Sequence, residues 1–305
     1  MSKWMRRSLI GLAVIAVIGG GAYYWLFVQS GTPQQGAFSI DIGEVRRLAN
    51  AEPGPKPADV RVEHIGSFSF PGIAVVAGDS WKPVDMPVYS YQIVYPDRTA
   101  IIDTALDDKL GGDRFGSFDK DAYGRMQKAM AAAKLIVITH EHVDHIGGIV
   151  EAPDLKAILP AVRLTKEQFD HPERSVPAAF PKGALDGYQP LVYDKYDAIA
   201  PGMVLIKSPG HSPGSQMIYV QKADGSEILF IGDVAWHFRN IDLVRERARA
   251  VTQYFLKEDR AAVLAELQEL ARLHEAEPKI AIVPGHDGEV VAGLEKAGAL
   301  ESGFK

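Results

Sequence analysis

The 305-residue chain contains no cysteine. That excludes a disulfide framework, a cysteine nucleophile and a lipid-modified cysteine anchor, and it leaves histidine and carboxylate as the side chains able to hold a metal. The chain also lacks a block of lysine or arginine outside its extreme N-terminus, and its formal net charge is −6. A phosphate-backbone partner calls for a basic footprint, so no nucleic acid is expected. No internal repeat or low-complexity tract is present. Histidine is sparse at 9 residues, so any clustering of it carries information. What is abundant is apolar side chain, 47% of the whole, enough for one sizeable α/β core.

One long uncharged run is present, LIGLAVIAVIGGGAYYWLFV from Leu9 to Val28. Twenty helical residues at a rise of ~1.5 Å span ~30 Å, the thickness of a bilayer core. Lys3, Arg6 and Arg7 precede the run, and no charge follows it until Asp41. By the positive-inside rule the N-terminus stays in the cytoplasm and the large domain lies across the membrane, on the extracytoplasmic (periplasmic) side. A cleaved signal peptide is the alternative. The run is longer than the usual apolar region of ~7–15 residues, and Tyr23, Tyr24, Trp25 and Phe27 occupy the place of a small-residue cleavage site, so an uncleaved anchor is the expectation. The resulting layout is a cytoplasmic N-terminus at 1–7, an anchor at 8–28, a polar linker at 29–36 (QSGTPQQG from 29) and a catalytic domain at 37–305.

Within that domain, β-branched and aromatic residues predict strands at Val88–Tyr95, Thr99–Asp103 and Leu135–Thr139, with a helix at Tyr123–Lys134 between them. Further strands are expected at Met203–Lys207, Gln216–Gln221, Glu227–Ile231 and Ile280–Val283, and an early one at Phe38–Ile42 before a helical turn at Glu44–Asn50. Ile241 to Glu275 has helical spacing; it is expected to cover a site or to mediate contacts in a homodimer. Ala105 to Asp121 reads either as the lining of a substrate channel or as a surface loop, and Trp81 either as a rim aromatic or as a packing residue.

Four of the strands end in the same way: a short turn delivers His140, His211, Asp233 and His286. Functional groups gather at strand ends in α/β proteins, so these four are expected to converge on one edge. The first delivers most. THEHVDHIGG, Thr139 to Gly148, carries His140, His142, Asp144 and His145 within six positions, holding three of the nine histidines. Alternate side chains of such a loop point to different sides, so one pair can grip one cation and the other pair a second, while Glu141 points away. Singly, His211 in PGHSPGS, Asp233 in IGDVAW and His286 in VPGHD are equally well read as turn or cap residues; in this order, each after a strand, they read as ligands.

That order, HxHxDH then PGHSPGS, IGDVAW and VPGHD, resembles the metallo-β-lactamase superfamily from about Val88 to the C-terminus. The resemblance implies a four-layer αβ/βα sandwich and a dinuclear metal-dependent hydrolase in which metal-activated water attacks a carbonyl of a small molecule. It places one divalent ion on His140, His142 and His211, a second on Asp144, His145 and His286, and Asp233 between them. Zinc is the foremost metal, with iron, manganese or cobalt also suited to nitrogen and oxygen ligands. Asp144 doubles as the catalytic residue that orients water and carries a proton, and Asp103 supports the ligands from behind.

The pairing of PGHSPGS with a late GHD is most similar to the lactonase branch, which opens N-acyl-homoserine lactones. That branch often has a tyrosine three residues after the bridging aspartate; here the position is Trp236, which becomes a candidate substrate contact through its N–H. The alternatives are a thioesterase resembling glyoxalase II, a β-lactamase-type amide hydrolase, phosphodiester chemistry, and a membrane-tethered binding protein without catalysis. The first lacks its usual C-terminal helical extension here, since only about nineteen residues follow His286. Tyr193 and Tyr196 are expected to pack in the core, and His64, His171, His237 and His274 carry no assigned role.

Overall fold

A computed structural model describes residues 1–34 and 36–305; Gln35, within the expected linker, lies outside the described residues. The strands are β1 (Asp59–Pro71), β2 (Pro83–Val94), β3 (Thr99–Ile102), β4 (Ser117–Phe118), β5 (Leu135–Val137), β6 (Tyr196–Ala200), β7 (Met203–Lys207), β8 (Gln216–Gln221), β9 (Glu227–Gly232), β10 (Ile280–Pro284) and β11 (Glu301–Ser302). They form two sheets. One has the order β11-β1-β2-β3-β5, with β4 also on β1; the other has the order β10-β9-β8-β7-β6.

Period-two alternation decides which layer each side chain enters. On β3, Ala100 and Ile102 face the core between the sheets, whereas Ile101 faces outward. On β7, Met203 and Leu205 point inward and Val204 and Ile206 outward; β9 repeats this with Ile228 and Phe230 against Leu229 and Ile231. Both faces of both sheets are apolar, so both outer faces need covering. Helices Lys120–Ala132 and Val143–Val150 cover the first sheet, and Ile42–Ala49 and Arg260–Ala276 the second. The result is an α/β sandwich of two sheets between helices, preceded by one long apolar helix.

That helix runs from Lys3 to Tyr23 and continues as a wider π-helical turn to Val28. It begins ahead of the apolar run, with Ser2 as its N-cap, so Lys3, Arg6 and Arg7 form its first turns. It is the one helix among the described residues long and apolar enough to cross a membrane.

One expectation is corrected. Phe38–Ile42 is not a strand: Asp41 accepts a hydrogen bond from Glu44 N at 3.0 Å and caps the helix Ile42–Ala49. Ile241–Glu275, expected to be helical, divides into several helical segments. A turn with Val244 at φ 46° follows Phe238–Asp242, a π-helical segment spans Ala250–Leu256, and Lys257 at φ 57° ends it before the helix Arg260–Ala276 starts at its Asp259 cap.

Candidate functional site

The ends of β5, β7, β9 and β10 lie along one edge of the sandwich. β5 leads through Ile138 and Thr139 to His140, and His142 is the N-cap residue of Val143–Val150, whose first turn presents Asp144 and His145. Close packing at this edge depends on two glycines. A Cβ on Gly232, which has φ 50°, would sit 2.6 Å from Thr139 Cβ, and one on Gly285 would sit 2.2 Å from Asp233 Oδ1.

The side chains fall into two groups of donor atoms. In the first, His140 Nε2, His142 Nδ1 and His211 Nε2 face one another at 2.9–3.2 Å. In the second, His286 Nε2 lies 3.4 Å and His145 Nε2 3.7 Å from Asp144 Oδ2. Asp233 stands between them. Its Oδ2 is 3.7 Å from His140 Nε2 and 3.5 Å from His211 Nε2, while its Oδ1 is 3.4 Å from His145 Nε2 and 3.3 Å from His286 Nε2. One carboxylate thus presents one oxygen to each group.

The hydrogen bonds behind the rings settle which nitrogens carry lone pairs. His211 Nδ1 lies 2.5 Å from Glu258 Oε1, His286 Nδ1 lies 2.9 Å from the Pro87 carbonyl, and His145 Nδ1 lies 2.8 Å from Asp103 Oδ2. Each of these partners only accepts, so each Nδ1 bears the proton and each Nε2 turns a lone pair inward. His145 Nε2 and Asp233 Oδ1 are buried without any hydrogen-bond partner. Leaving such atoms unpaired costs about 1–3 kcal/mol each. Converging lone pairs, orphaned buried atoms and a nitrogen–oxygen donor set together fit two divalent cations.

The electrostatics agree. Burial and the neighbouring imidazoles hold His140 and His142 well below the usual histidine range, which keeps them neutral. Burial also opposes the charged forms of His145 and His286, but Asp103, Asp144 and Asp233 outweigh it around His145, and Asp233 and Asp144 around His286, and both are pushed up. Asp233 is pulled well down despite its burial, by His286, His140 and His145. This is a cluster in which carboxylates attract positive charge.

The surrounding residues hold the groups in place. Asp103, at φ 56°, accepts from Thr139 N at 2.6 Å and from Thr139 Oγ1 at 2.8 Å, besides its bond to His145. Glu141 points away from the donor groups and accepts from Ser212 Oγ at 2.8 Å and Gly214 N at 3.2 Å, joining the first motif to the PGHSPGS turn. A third support has no counterpart in the sequence reading. Arg247 pairs with the buried Glu258 behind His211, and its guanidinium lies 4.9 Å from the centre of the Trp236 ring. Trp236 in turn donates its indole N–H to Asp233 Oδ2 at 2.6 Å. Arg247 is one of three arginines from Arg245 to Arg249, Glu258 is one of four consecutive charged residues from Lys257 to Arg260, and no motif spacing marks either.

A cleft of about 610 Å³ opens over the site. His142, Asp144, Asp233 and His286 line its floor; Phe68, Phe70, Met86, Leu106, Leu110 and Trp236 form apolar walls; Val176 and Phe255 lie at its mouth. Leu106 and Leu110 come from the Ala105–Asp121 stretch, which therefore lines the cleft, and Phe255 and Leu256 come from the segment expected to cover a site. Tyr193 and Tyr196 are part-buried against the core, the former donating to Gln216 Oε1 at 2.6 Å. Trp81 is away from the cleft walls and packs on Tyr23 and Phe27. His237 lies 3.3 Å from Asp287, and His64, His171 and His274 are not among the two donor groups.

Residues 83–286 match the family model of the metallo-beta-lactamase superfamily, and the chain belongs to that superfamily. Among curated relatives it is similar to the probable metallo-hydrolase Rv2300c of Mycobacterium tuberculosis, 24% identical over 287 residues covering 80% of this chain and 85% of that one. It is also similar to the N-acyl homoserine lactonase AttM of Agrobacterium fabrum, 27% identical over 184 residues covering 55% of this chain and 63% of that one. Among solved structures, an N-acyl homoserine lactone hydrolase with the product N-hexanoyl-L-homoserine at its catalytic metal center superposes with a TM-score of 0.60 at 17% identity, covering 78% of this chain and 96% of that chain. That likeness establishes the fold. The chain is a hydrolase of this superfamily with a candidate His/Asp metal-binding cluster.

Proposed function

We propose that the protein hydrolyses the carbonyl of a lactone or ester with two divalent cations, zinc foremost, and that residues 8–28 anchor it in a membrane with the catalytic domain on the extracytoplasmic side. The observation that carries the reaction is Asp233, whose two oxygens face two separate donor groups on the floor of one cleft. When bound, two cations supply Lewis acidity toward a carbonyl oxygen and acidify water toward neutral pH. His140, His142 and His211 would hold one; Asp144, His145 and His286 the other; Asp233 both.

Asp144 is the carboxylate of the site most open to the cleft, its side chain 16% exposed against 4% for Asp233. It orients water toward the carbonyl carbon and takes up the proton released as the new C–O bond forms. It returns that proton to the alkoxide oxygen when the ester C–O bond breaks, leaving an alcohol and a carboxylic acid, which releases its own proton to solvent and departs as carboxylate. The apolar walls hold the acyl part and exclude competing water. The lactone preference rests on the similarity to lactonases, and the anchor on the length and apolarity of the N-terminal helix, with Lys3, Arg6 and Arg7 on its cytoplasmic side.

The test is a substrate panel on the zinc-loaded full chain: a long-chain acyl-homoserine lactone, an aryl ester, a glutathione thioester and a cephalosporin. The lactone is expected to give the highest kcat/KM, with activity abolished in His142→Ala. A thioester preference would make the enzyme a thioesterase. Silence on all four with the metals bound would contradict hydrolysis of these carbonyl classes.

A further inference from the structure

The anchor helix docks on the domain at Arg249, six residues ahead of Phe255 at the mouth of the cleft. Arg249 stacks over the Trp25 ring at 4.6 Å and donates from Nε to the Trp25 carbonyl at 3.3 Å. Gly78 N donates to the Phe27 carbonyl at 2.9 Å, and Trp81 Nε1 to the Tyr23 hydroxyl at 3.1 Å. Just beyond the helix, Ser30 and Gly31 are both bonded to Glu246. The helix end is therefore fastened to the domain at Glu246 and Arg249, just ahead of the segment Ala250–Leu256, and at Gly78 and Trp81.

That segment has two faces. Val251 and Leu256 pack inward against Val75, Val76, Met86 and Trp236. Tyr254 and Phe255 turn outward, 60% and 56% exposed, and Trp81 nearby is 55% exposed. Phe255 is also a wall of the cleft. From Arg249, held on Trp25, to Phe255 is six residues, at most ~9 Å of helix. The headgroup layer on each side of a bilayer is about 6 Å deep or a little more, and Tyr and Trp concentrate there. Arg249 and the exposed Lys257 flank the segment, which suits a phosphate-bearing surface.

We infer that Tyr254, Phe255 and Trp81 sit in the headgroup layer and that the cleft opens onto the bilayer surface, so that its substrate is a single-chain amphiphile entering from the membrane. This rests on the anchor reading above. In a partitioned amphiphile the carbonyl lies at headgroup depth beside an apolar chain. The cleft matches that order, with its His/Asp floor reached past apolar walls and the exposed Phe255. A substrate entering this way exchanges one apolar surrounding for another and needs no passage through water.

The chain has no cysteine, so Tyr254→Cys and Val192→Cys each give one labelling site on an exposed side chain. The full chain, carrying an NBD fluorophore at either position, is reconstituted into phosphatidylcholine vesicles containing nitroxide-headgroup lipid. The label at 254 is expected to be quenched at least threefold more strongly by the nitroxide lipid than the label at 192, and to be shielded from iodide. Equal quenching at both positions, with the chain still floating with the vesicles after carbonate extraction, overturns the inference and leaves the anchor standing. A chain that no longer floats overturns both. Shielding at 254 from both quenchers assigns the patch to a second copy and overturns the inference too. Tyr254→Asp should lower kcat/KM about tenfold for a vesicle-borne dodecanoyl substrate and leave a water-soluble butyryl substrate unchanged; equal effects on the two contradict entry from the membrane.

Discussion

Trp236 Nε1 lies 2.6 Å from Asp233 Oδ2, so the indole holds the carboxylate that stands between the two donor groups. Its one N–H is committed to the carboxylate facing both donor groups, and is not free to meet a substrate. Arg247 stacks on the same ring and pairs with Glu258, which in turn holds His211. One chain of contacts thus runs from Asp233 back to a member of the first donor group.

Trp236→Phe therefore acts on the metals more than on the substrate. Losing a charge-assisted bond of roughly 1.5–3 kcal/mol should weaken zinc binding about 10- to 100-fold, with KM little changed once zinc is saturating. Chelator-competition titration beside steady-state kinetics reads both quantities. A fall in kcat at full zinc occupancy, with unaltered affinity, would instead give the indole a role on the substrate carbonyl.

Glu258 is buried between Arg247 and His211, and those two cationic or donating partners pull its carboxyl down against the effect of burial. Glu258→Gln keeps an acceptor for His211 Nδ1 but leaves Arg247 as an uncompensated buried charge, which costs on the order of 3–5 kcal/mol. Both thermal stability and zinc affinity should drop. An unchanged melting temperature would show that the Arg247 pair is not part of the fold's stability.

Asp144→Asn removes the carboxylate of the second donor group and the proposed proton carrier together. The expected variant retains one zinc per chain and loses about 10²- to 10⁴-fold in turnover. Two zinc ions with full rate would refute both roles.

Glu266 gives the sharpest pH signature. Burial, reinforced by Glu258 and Asp259, pushes its carboxyl up to about 8 from an ordinary 4.5, and its Oε2 has no partner. Between those two pH values the folded chain keeps a proton that the unfolded chain has released, so stability falls as pH rises from about 4.5 to about 8. Glu266→Gln, which still accepts from Gly210 N, removes that slope. Melting curves at pH 5 and pH 8 should show the variant gaining on the parent at pH 8 by about a few kcal/mol. Parallel pH profiles would show that Glu266 ionises normally.

Strands buried on both faces are legible to the residue: Met203–Lys207 and Gln216–Gln221 have the bounds expected from their apolar runs and the polar residues that flank them. β1 was not, because Glu63 and His64 interrupt it and its register shifts between His64 and Gly66, which breaks the alternation a sequence can display. Phe38–Ile42 looked like a strand because apolar spacing over five residues does not reveal that Asp41 spends its carboxylate on a helix start. The seven motif residues stood out through clustering and order, and the structure brings them within reach of one another. The Arg247–Glu258 pair is joined across a bend around the Ala250–Leu256 segment and has no periodic trace. For Trp236, position was readable but the direction of its N–H was not.

Seven side chains are proposed to form two cation sites sharing Asp233. The most direct measurement is zinc titration of the metal-stripped full chain by calorimetry with parallel metal analysis. Two zinc ions per chain are expected, falling to one in His145→Ala. A parent chain that binds no zinc, or binds one with His145→Ala unaffected, would contradict it.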